Sequence, residues 1–133
     1  MKALILSIKP EYVNRILNGE KKYEYRKRLA REKVRKIYIY CTSPIMKVVG
    51  TVEVLDYIKS SPSRLWEETK RNAGISREKY RKYFHGCKTA YAYKLGETTT
   101  FETPLDIHAF GISTAPQSFV YVDEITVHTN GNF

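Results

Sequence analysis

The residues whose types and spacing could support chemistry lie together in one segment, Gly19–Arg26, with the sequence GEKKYEYR. Lys21 follows a glycine turn, where a mobile cation beside exposed backbone N–H groups is suited to contact a phosphate. Arg26 can hold a phosphate through two N–H groups or stack on a base. Glu24 repels phosphate, but its carboxylate can accept hydrogen bonds from the exocyclic amine of a base or orient the neighbouring cations. The segment therefore predicts a site for RNA or a nucleotide.

The pattern of residues 21–28 (KKYEYRKR) predicts a strand, whose successive side chains point to opposite faces. One face would carry Lys22, Glu24, Arg26 and Arg28, and the other Lys21, Tyr23, Tyr25 and Lys27. Neither face is cleanly apolar, so either the Glu24/Arg26 pair or the two tyrosines would face the interior. A Glu and an Arg two residues apart are separated by roughly 7 Å at Cα and can pair across a cleft.

Other polar residues could extend this site. Lys9, Lys22 and Arg28 would add unspecific attraction for a polyanion, which salt weakens. Gln117 and Ser118 lie in a turn that leads into a later strand, and they could touch a ligand at the mouth of the cleft. Turn chemistry explains these two residues nearly as well.

The charge of the chain supports a polyanionic partner. The 133 residues carry 23 Lys and Arg against 14 Asp and Glu, a net charge of +9. Residues 1–36 hold a net +8 and residues 62–94 a net +6, whereas residues 95–133 have no Lys or Arg and a net −5. A basic front and an acidic end indicate a polarised surface of the kind that binds nucleic acid.

Several kinds of site are excluded by the composition. Cys41 and Cys87 have no C-x-x-C neighbours, and His85, His108 and His128 are scattered along the chain, so no metal site is predicted. No cofactor is predicted either. No apolar run approaches the roughly 18 residues of a membrane span, and the N-terminus has the pattern of a strand, not of a signal peptide. We expect a cytoplasmic protein without membrane contact.

Elsewhere, apolar periodicity and turn residues predict short strands and a few helices. Further strands are expected at 2–8, 34–42, 46–57, 88–95, about 103–110 and 119–127, and helices at 10–17, 63–72 and 76–84. The expected fold class is α+β: a small, mostly antiparallel barrel with a helix after strand 1 and an inserted helical pair. Ser63 and Ser76 are expected to cap the inserted helices, and Gly50 to mark a bulge or a close backbone approach.

The stretch ILNGEKKYEYRKR resembles the Gly-x-Lys-x-x-Glu-x-Arg signature of ASCH domains, which are PUA-like barrels. Gly19, Lys21, Glu24 and Arg26 occupy its four fixed positions. The pieces SPIMKVVGTVEV, LWEETKRNAGISREKYRKYF and APQSFVYV are also similar to those of small bacterial, archaeal and phage ASCH proteins, so the resemblance covers about residues 2–122. It implies one PUA-like domain, which we place at 1–127 with a short tail at 128–133, and a role in RNA metabolism.

The same resemblance bears on catalysis. Some ASCH relatives remove an acyl group from a modified cytidine, using a Lys-x-x-Thr motif and a Glu from the helical insert. This chain keeps Lys21 but has Glu24 at the Thr position and Ala73 or Gly74 near the remaining one, and a carboxylate poorly replaces an acyl-accepting hydroxyl.

Three functions follow as alternatives. The first is an RNA- or nucleotide-binding domain, which we favour. The second is a small hydrolase on modified nucleosides or RNA, in which Lys21 and Glu24 would act as acid and base, with or without a metal. The third is a regulatory protein-interaction domain. The oligomeric state is left open.

Overall fold

Strands and helices form where the apolar pattern and the capping residues favour them. The computed structural model describes residues 2–125. Its elements are β1 (Lys2–Ile8), α1 (Pro10–Leu17), β2 (Tyr23–Arg26), β3 (Lys36–Cys41), β4 (Lys47–Ser60), α2 (Pro62–Thr69), α3 (Arg77–Tyr83), β5 (Ala90–Leu105) and β6 (Phe119–Asp123). Two short 3-10 helices lie at Lys70–Asn72 and Ile107–Phe110.

The six strands form one sheet in the order β2-β5-β4-β3-β1-β6. Within residues 2–125, only β1 and β3 pair in parallel, and the other four strand pairs are antiparallel. The expected fold class, a mixed α+β and mostly antiparallel PUA-like arrangement with one helix after β1 and an inserted helical pair, is confirmed.

Two apolar clusters cover opposite faces of the central strands. Leu4 and Leu6 of β1 pack with α1 residues such as Ile16, whereas Ala3 and Ile5 pack on the other face. Strands buried on both faces have continuous apolar runs, which is why KALILSI lacks the polar alternation of a surface strand. Fully burying a side chain such as Leu4 contributes about 1.5–3 kcal/mol.

A third cluster lies under the inserted helices. Leu65 of α2 and Tyr80 and Phe84 of the α3 region pack on Tyr25 of β2 and Ala92 of β5. The ring of Tyr80 meets that of Tyr25 edge-to-face at 4.9 Å. The insert thus packs its apolar side inward and fixes the position of β2.

The glycine of β4 has the predicted role. A Cβ at Gly50 would collide with the backbone carbonyl of Thr99 on β5, so only glycine allows the two strands to approach there. The register of β4 against β5 also shifts between Val48 and Gly50. The prediction of a close backbone approach is confirmed.

Two predictions about local structure were wrong. The strand expected at about 103–110 is the end of β5 followed by the 3-10 helix, because Asp106 accepts a hydrogen bond from the backbone N–H of His108 and starts a helical turn. The cap of α2 is Ser61, not Ser63, because Pro62 occupies the first helical position and the Ser61 side chain accepts from the N–H of Arg64.

The remaining predicted bounds differ mainly at their ends. β2 covers Tyr23–Arg26 only, shorter than the predicted 21–28. Ser76 caps α3 as expected. The end of the strand predicted at 119–127, the tail predicted at 128–133 and His128 lie outside the described residues. Within residues 2–125, no helix is long and apolar enough to cross a membrane.

Candidate functional site

A cavity of about 470 Å³ opens between α1, β2 and α3. Its size lies within the range of small-molecule sites. Its lining side chains belong to Ser7, Ile8, Lys9, Glu11, Tyr12, Lys21, Glu24, Tyr25, Arg26, Ile75, Lys79, Lys82 and Tyr83. Three residues of the predicted motif, Lys21, Glu24 and Arg26, therefore meet in one concave site.

Lys21 lies at the floor of this cavity and is only 3% exposed. It precedes β2, and its Nζ donates a hydrogen bond of 2.7 Å to the backbone carbonyl of Ala73, in the turn that follows α2. The same Nζ lies 4.8 Å from the ring centroid of Tyr25 and 5.4 Å from that of Tyr12. The cation is thus held by one carbonyl and two aromatic faces.

This environment lowers the pKa of Lys21 from 10.5 to about 8. Burial is the main cause, since it disfavours the charged ammonium. The charge of Glu24 acts in the opposite direction, and Arg15 and Arg26 lower the pKa further. An amine with this pKa can bind an anion at neutral pH and can also transfer a proton.

Gly74 makes the position of Lys21 possible. Its φ of +63° lies in the left-handed region, and a Cβ at this position would collide with the side chain of Lys21. Arg15 Nη1 donates to the carbonyl of Gly74 over 2.9 Å, which ties the turn to α1. Ala73 and Gly74 are the residues that the resemblance places where acyl-removing relatives have a Glu, and here a backbone carbonyl contacts the lysine instead.

Glu24 and Arg26 form a largely buried ion pair beside Lys21. Glu24 Oε2 accepts a hydrogen bond from Arg26 Nε at 3.0 Å and lies 2.9 Å from Arg26 Nη2, which donates its own hydrogen bond to the carbonyl of Ser7. Within residues 2–125, Glu24 Oε1 and Arg26 Nη1 make no hydrogen bond. One acceptor and one donor atom of the pair are therefore available to a ligand.

The sequence suggested that either Glu24 and Arg26 or the tyrosines face inward, but the structure buries residues of both faces. Tyr25 packs under the inserted helices, and its hydroxyl hydrogen-bonds the Oγ1 of Thr69 at 2.6 Å. Burial raises the pKa of Tyr25 to about 12, so its hydroxyl stays protonated and uncharged at neutral pH. β2 has buried surface on both sides because the insert covers the face opposite the ion pair.

The other predicted residues of the motif region are spread around the site. Lys9 lines the cavity and is exposed. Gly19 is exposed with a φ of +86°, and it forms the turn that leads to Lys21 without lining the cavity. Lys22 and Arg28 are exposed and do not line the cavity. They can act on a ligand only through their general positive charge.

Gln117 and Ser118 lie behind the lining rather than in it. Both are exposed, and neither lines the cavity. Their turn is bound to β1, because the backbone N–H of Ser7 donates to the carbonyl of Ser118 and the Ser7 hydroxyl donates to that of Pro116. Ser7 itself lines the cavity, so this turn supports the site from outside.

Several lining residues were not among the predicted site residues. Tyr12 comes from α1, and Lys79, Lys82 and Tyr83 come from α3. Lys79 Nζ lies 3.5 Å from a carboxylate oxygen of Glu11, which joins α3 to α1 across the cavity. For the two lysines of α3, the sequence signal was the net charge of +6 on residues 62–94.

Among residues 2–125 there is no group of three or more His, Cys, Asp or Glu that could hold a metal ion. Both cysteines of the chain are free thiols.

The sequence model of the ASCH domain matches residues 6–101 of this chain. The chain is 32% identical over 95 residues to a protein of Zymomonas mobilis named an ASCH domain-containing ribonuclease, and the match covers 71% of this chain and 64% of that relative. It is also 27% identical over 120 residues to a protein of Ureaplasma parvum named ATP synthase subunit alpha, covering 90% of this chain and 15% of that protein. The chain therefore spans less than two thirds of either relative.

Solved structures match the fold over nearly the whole chain. The crystal structure of ASCH from Zymomonas mobilis has a TM-score of 0.83 and 26% identity, covering 92% of this chain and 88% of that one. A mutant form of that protein has a TM-score of 0.84 and 26% identity, covering 93% and 92%. The family suggested by the Gly-x-Lys-x-x-Glu-x-Arg motif is confirmed.

Proposed function

Because the chain belongs to the ASCH domain family, we propose that it binds RNA, or a nucleotide, in the cavity between α1, β2 and α3. The observation that carries this proposal is the convergence of Lys21, Glu24 and Arg26 on one 470 Å³ cavity. A related protein that is named a ribonuclease supports RNA as the ligand class.

Each kind of lining group has a part in this binding. Lys9, Lys79 and Lys82 attract phosphate at the rim, where their charges are exposed. Tyr83 is 38% exposed and offers a ring on which a base can stack. Glu24 accepts from the exocyclic amine of the base through its unused Oε1, which gives this carboxylate a part in a site with more cations than anions.

RNA cleavage is a second candidate, favoured by the lowered pKa of Lys21 and by the ribonuclease relative. In this reaction Glu24 would accept the proton of an attacking 2′-hydroxyl, and Lys21 would donate a proton to the leaving 5′-oxygen. An acid with a pKa of about 8 transfers protons efficiently near neutral pH.

Fluorescence anisotropy with labelled single-stranded RNA tests the binding. We expect Lys82→Gln to weaken binding roughly fourfold at physiological salt, and to reduce the slope of log affinity against log salt by about 0.7, as loss of one phosphate contact does for a single strand. Lys59→Gln is the matched control, because Lys59 is exposed on β4 and does not line the cavity.

Equal binding by the two variants would contradict the location of the site, and absence of RNA binding at low salt would contradict the function. Gel analysis of the same RNA, with and without Mg²⁺, tests cleavage. RNA cleavage is supported if the wild type forms cleavage products and Lys21→Met, which keeps the length and apolar stem of the side chain, does not. If the RNA stays intact with both proteins, binding is the function that remains.

A further inference from the structure

A second concavity of about 230 Å³ lies on the other side of α3. Trp66 and Glu67 of α2, Arg77, Tyr80 and Arg81 of α3, and Phe84 contribute to its lining. No residue of the motif takes part in it. Its aromatic floor and its two guanidinium groups resemble the components of a nucleotide site in their chemistry.

α3 separates this concavity from the first cavity. At 3.6 residues per turn, Arg77 and Arg81 share one side of the helix, whereas Lys79 and Tyr83 lie roughly opposite to them. The lining follows this division, since Arg77 and Arg81 belong to the second concavity and Lys79, Lys82 and Tyr83 to the first. A helix with its side chains is about 10–12 Å thick, so the two spaces are close enough for one short strand to reach both.

The charges in the second concavity favour an anion. Among residues 2–125, no carboxylate lies within 4.0 Å of Arg77 or Arg81. Glu67 is the one acidic residue of the lining, and its carboxylate is bound by Lys70 Nζ at 2.7 Å. The repulsion that Glu67 would exert on a phosphate is therefore partly compensated, while the two arginines remain available.

A flat apolar surface accompanies these arginines. The Trp66 ring is half-buried, and its inner side is supported by Tyr80, with ring centroids 4.8 Å apart. Tyr80 is itself held by the third apolar cluster and donates its hydroxyl hydrogen to the carbonyl of Pro62 at 2.7 Å. A base stacked on Trp66 would thus meet a surface that is already fixed in place.

We propose that the second concavity is a further nucleotide subsite. One nucleotide of an RNA strand occupies the first cavity, the strand crosses α3, and a following nucleotide places its phosphate on Arg77 and Arg81 and its base on Trp66. This inference rests on the proposed function, and it makes the basic outer face of the insert part of the binding surface.

The chain contains a single tryptophan, so its fluorescence reports on this subsite alone. A mononucleotide and a series of single-stranded oligonucleotides from two to six residues are titrated into the protein. We expect little change in Trp66 emission with the mononucleotide, and quenching that begins when the strand is long enough to cross α3. At the same strand length, the affinity is expected to rise roughly five- to hundredfold, which is the gain that one stacked base gives in other proteins that bind single strands.

A double variant, Arg77→Gln with Arg81→Gln, tests the phosphate contact. Loss of two contacts is expected to weaken hexanucleotide binding roughly tenfold at physiological salt and to leave mononucleotide binding unchanged. Arg31→Gln with Arg35→Gln is the control of equal charge, because both arginines are exposed and line neither cavity.

The outcomes separate the two proposals. The subsite is refuted if three results occur together: the hexanucleotide and the mononucleotide bind equally, Trp66 emission does not change, and the double variant behaves as its control. If Lys82→Gln still weakens binding in that case, the first cavity remains the RNA site. If no nucleotide or RNA binds, both proposals are wrong. Length-dependent quenching that the double variant abolishes establishes the subsite.

Discussion

Replacement of Gly74 by alanine tests the contact on which the site depends. An L-residue in the left-handed region costs about 1–2 kcal/mol relative to glycine, and the φ of Gly74 is +63°. The new Cβ would also collide with the side chain of Lys21. If this displaces Nζ from the carbonyl of Ala73, a charged hydrogen bond worth about 1.5–3 kcal/mol is lost as well.

Gly86→Ala is a control that separates the two contributions. Gly86 has a φ of +81°, and a Cβ there would have no neighbour within 4 Å. We therefore expect Gly86→Ala to lower the free energy of unfolding by about 1–2 kcal/mol, and Gly74→Ala by about 2.5–5 kcal/mol. Urea unfolding at pH 7 measures both values, provided that the m value does not change.

RNA binding by the two folded variants completes the test. Gly74→Ala should bind RNA more weakly than the wild type because Lys21 is displaced, whereas Gly86→Ala should bind normally. Equal destabilisation of the two variants, together with equal RNA binding, would refute the contact between Gly74 and Lys21 and with it the described position of the buried cation.

Three further predictions concern stability. Because the pKa of Lys21 is about 8 in the folded protein and 10.5 ordinarily, the unfolded chain binds more protons between these values, and the free energy of unfolding should rise with pH. Between pH 7.5 and pH 9.5, the free energy of unfolding measured in urea should rise by about 2 kcal/mol more for the wild type than for Lys21→Met. Parallel pH profiles of the two proteins would contradict the burial of the amine. Arg26→Lys keeps the positive charge but removes the guanidinium group that contacts Glu24, and it should lower the free energy of unfolding by about 1–3 kcal/mol in the same assay. A decrease below about 0.5 kcal/mol would contradict a stabilising ion pair. Ser61→Ala should cost about 1 kcal/mol through loss of the α2 cap, while Ser63→Ala should stay within about 0.5 kcal/mol, and the reverse order would show that the cap is misassigned.

Strands and helices whose ends are marked by residues close by in the sequence could be predicted from the sequence. β1 and α1 have the expected bounds, because a continuous apolar run, Pro10 at the first helical position and Gly19 after the last turn act within a few residues of where they occur. β5 could not be bounded in this way. Its residues 96–105 mix Thr and Phe, which favour strands, with Gly96, Pro104 and two Glu residues, which do not, and they extend because β4 pairs with them.

The candidate site shows the same distinction between what the sequence predicts locally and what the tertiary structure decides. The sequence by itself determined which residue types the site contains, since Lys21, Glu24 and Arg26 lie within six positions and their motif identifies the family. Only the tertiary structure decided what each of them contacts. Ala73 is 52 residues from Lys21, and Glu24 pairs with Arg26 rather than with the lysine. The contact between Lys21 and Ala73 depends on the packing of the insert against β2, and burial, not residue type, is the main cause of the lowered pKa of Lys21.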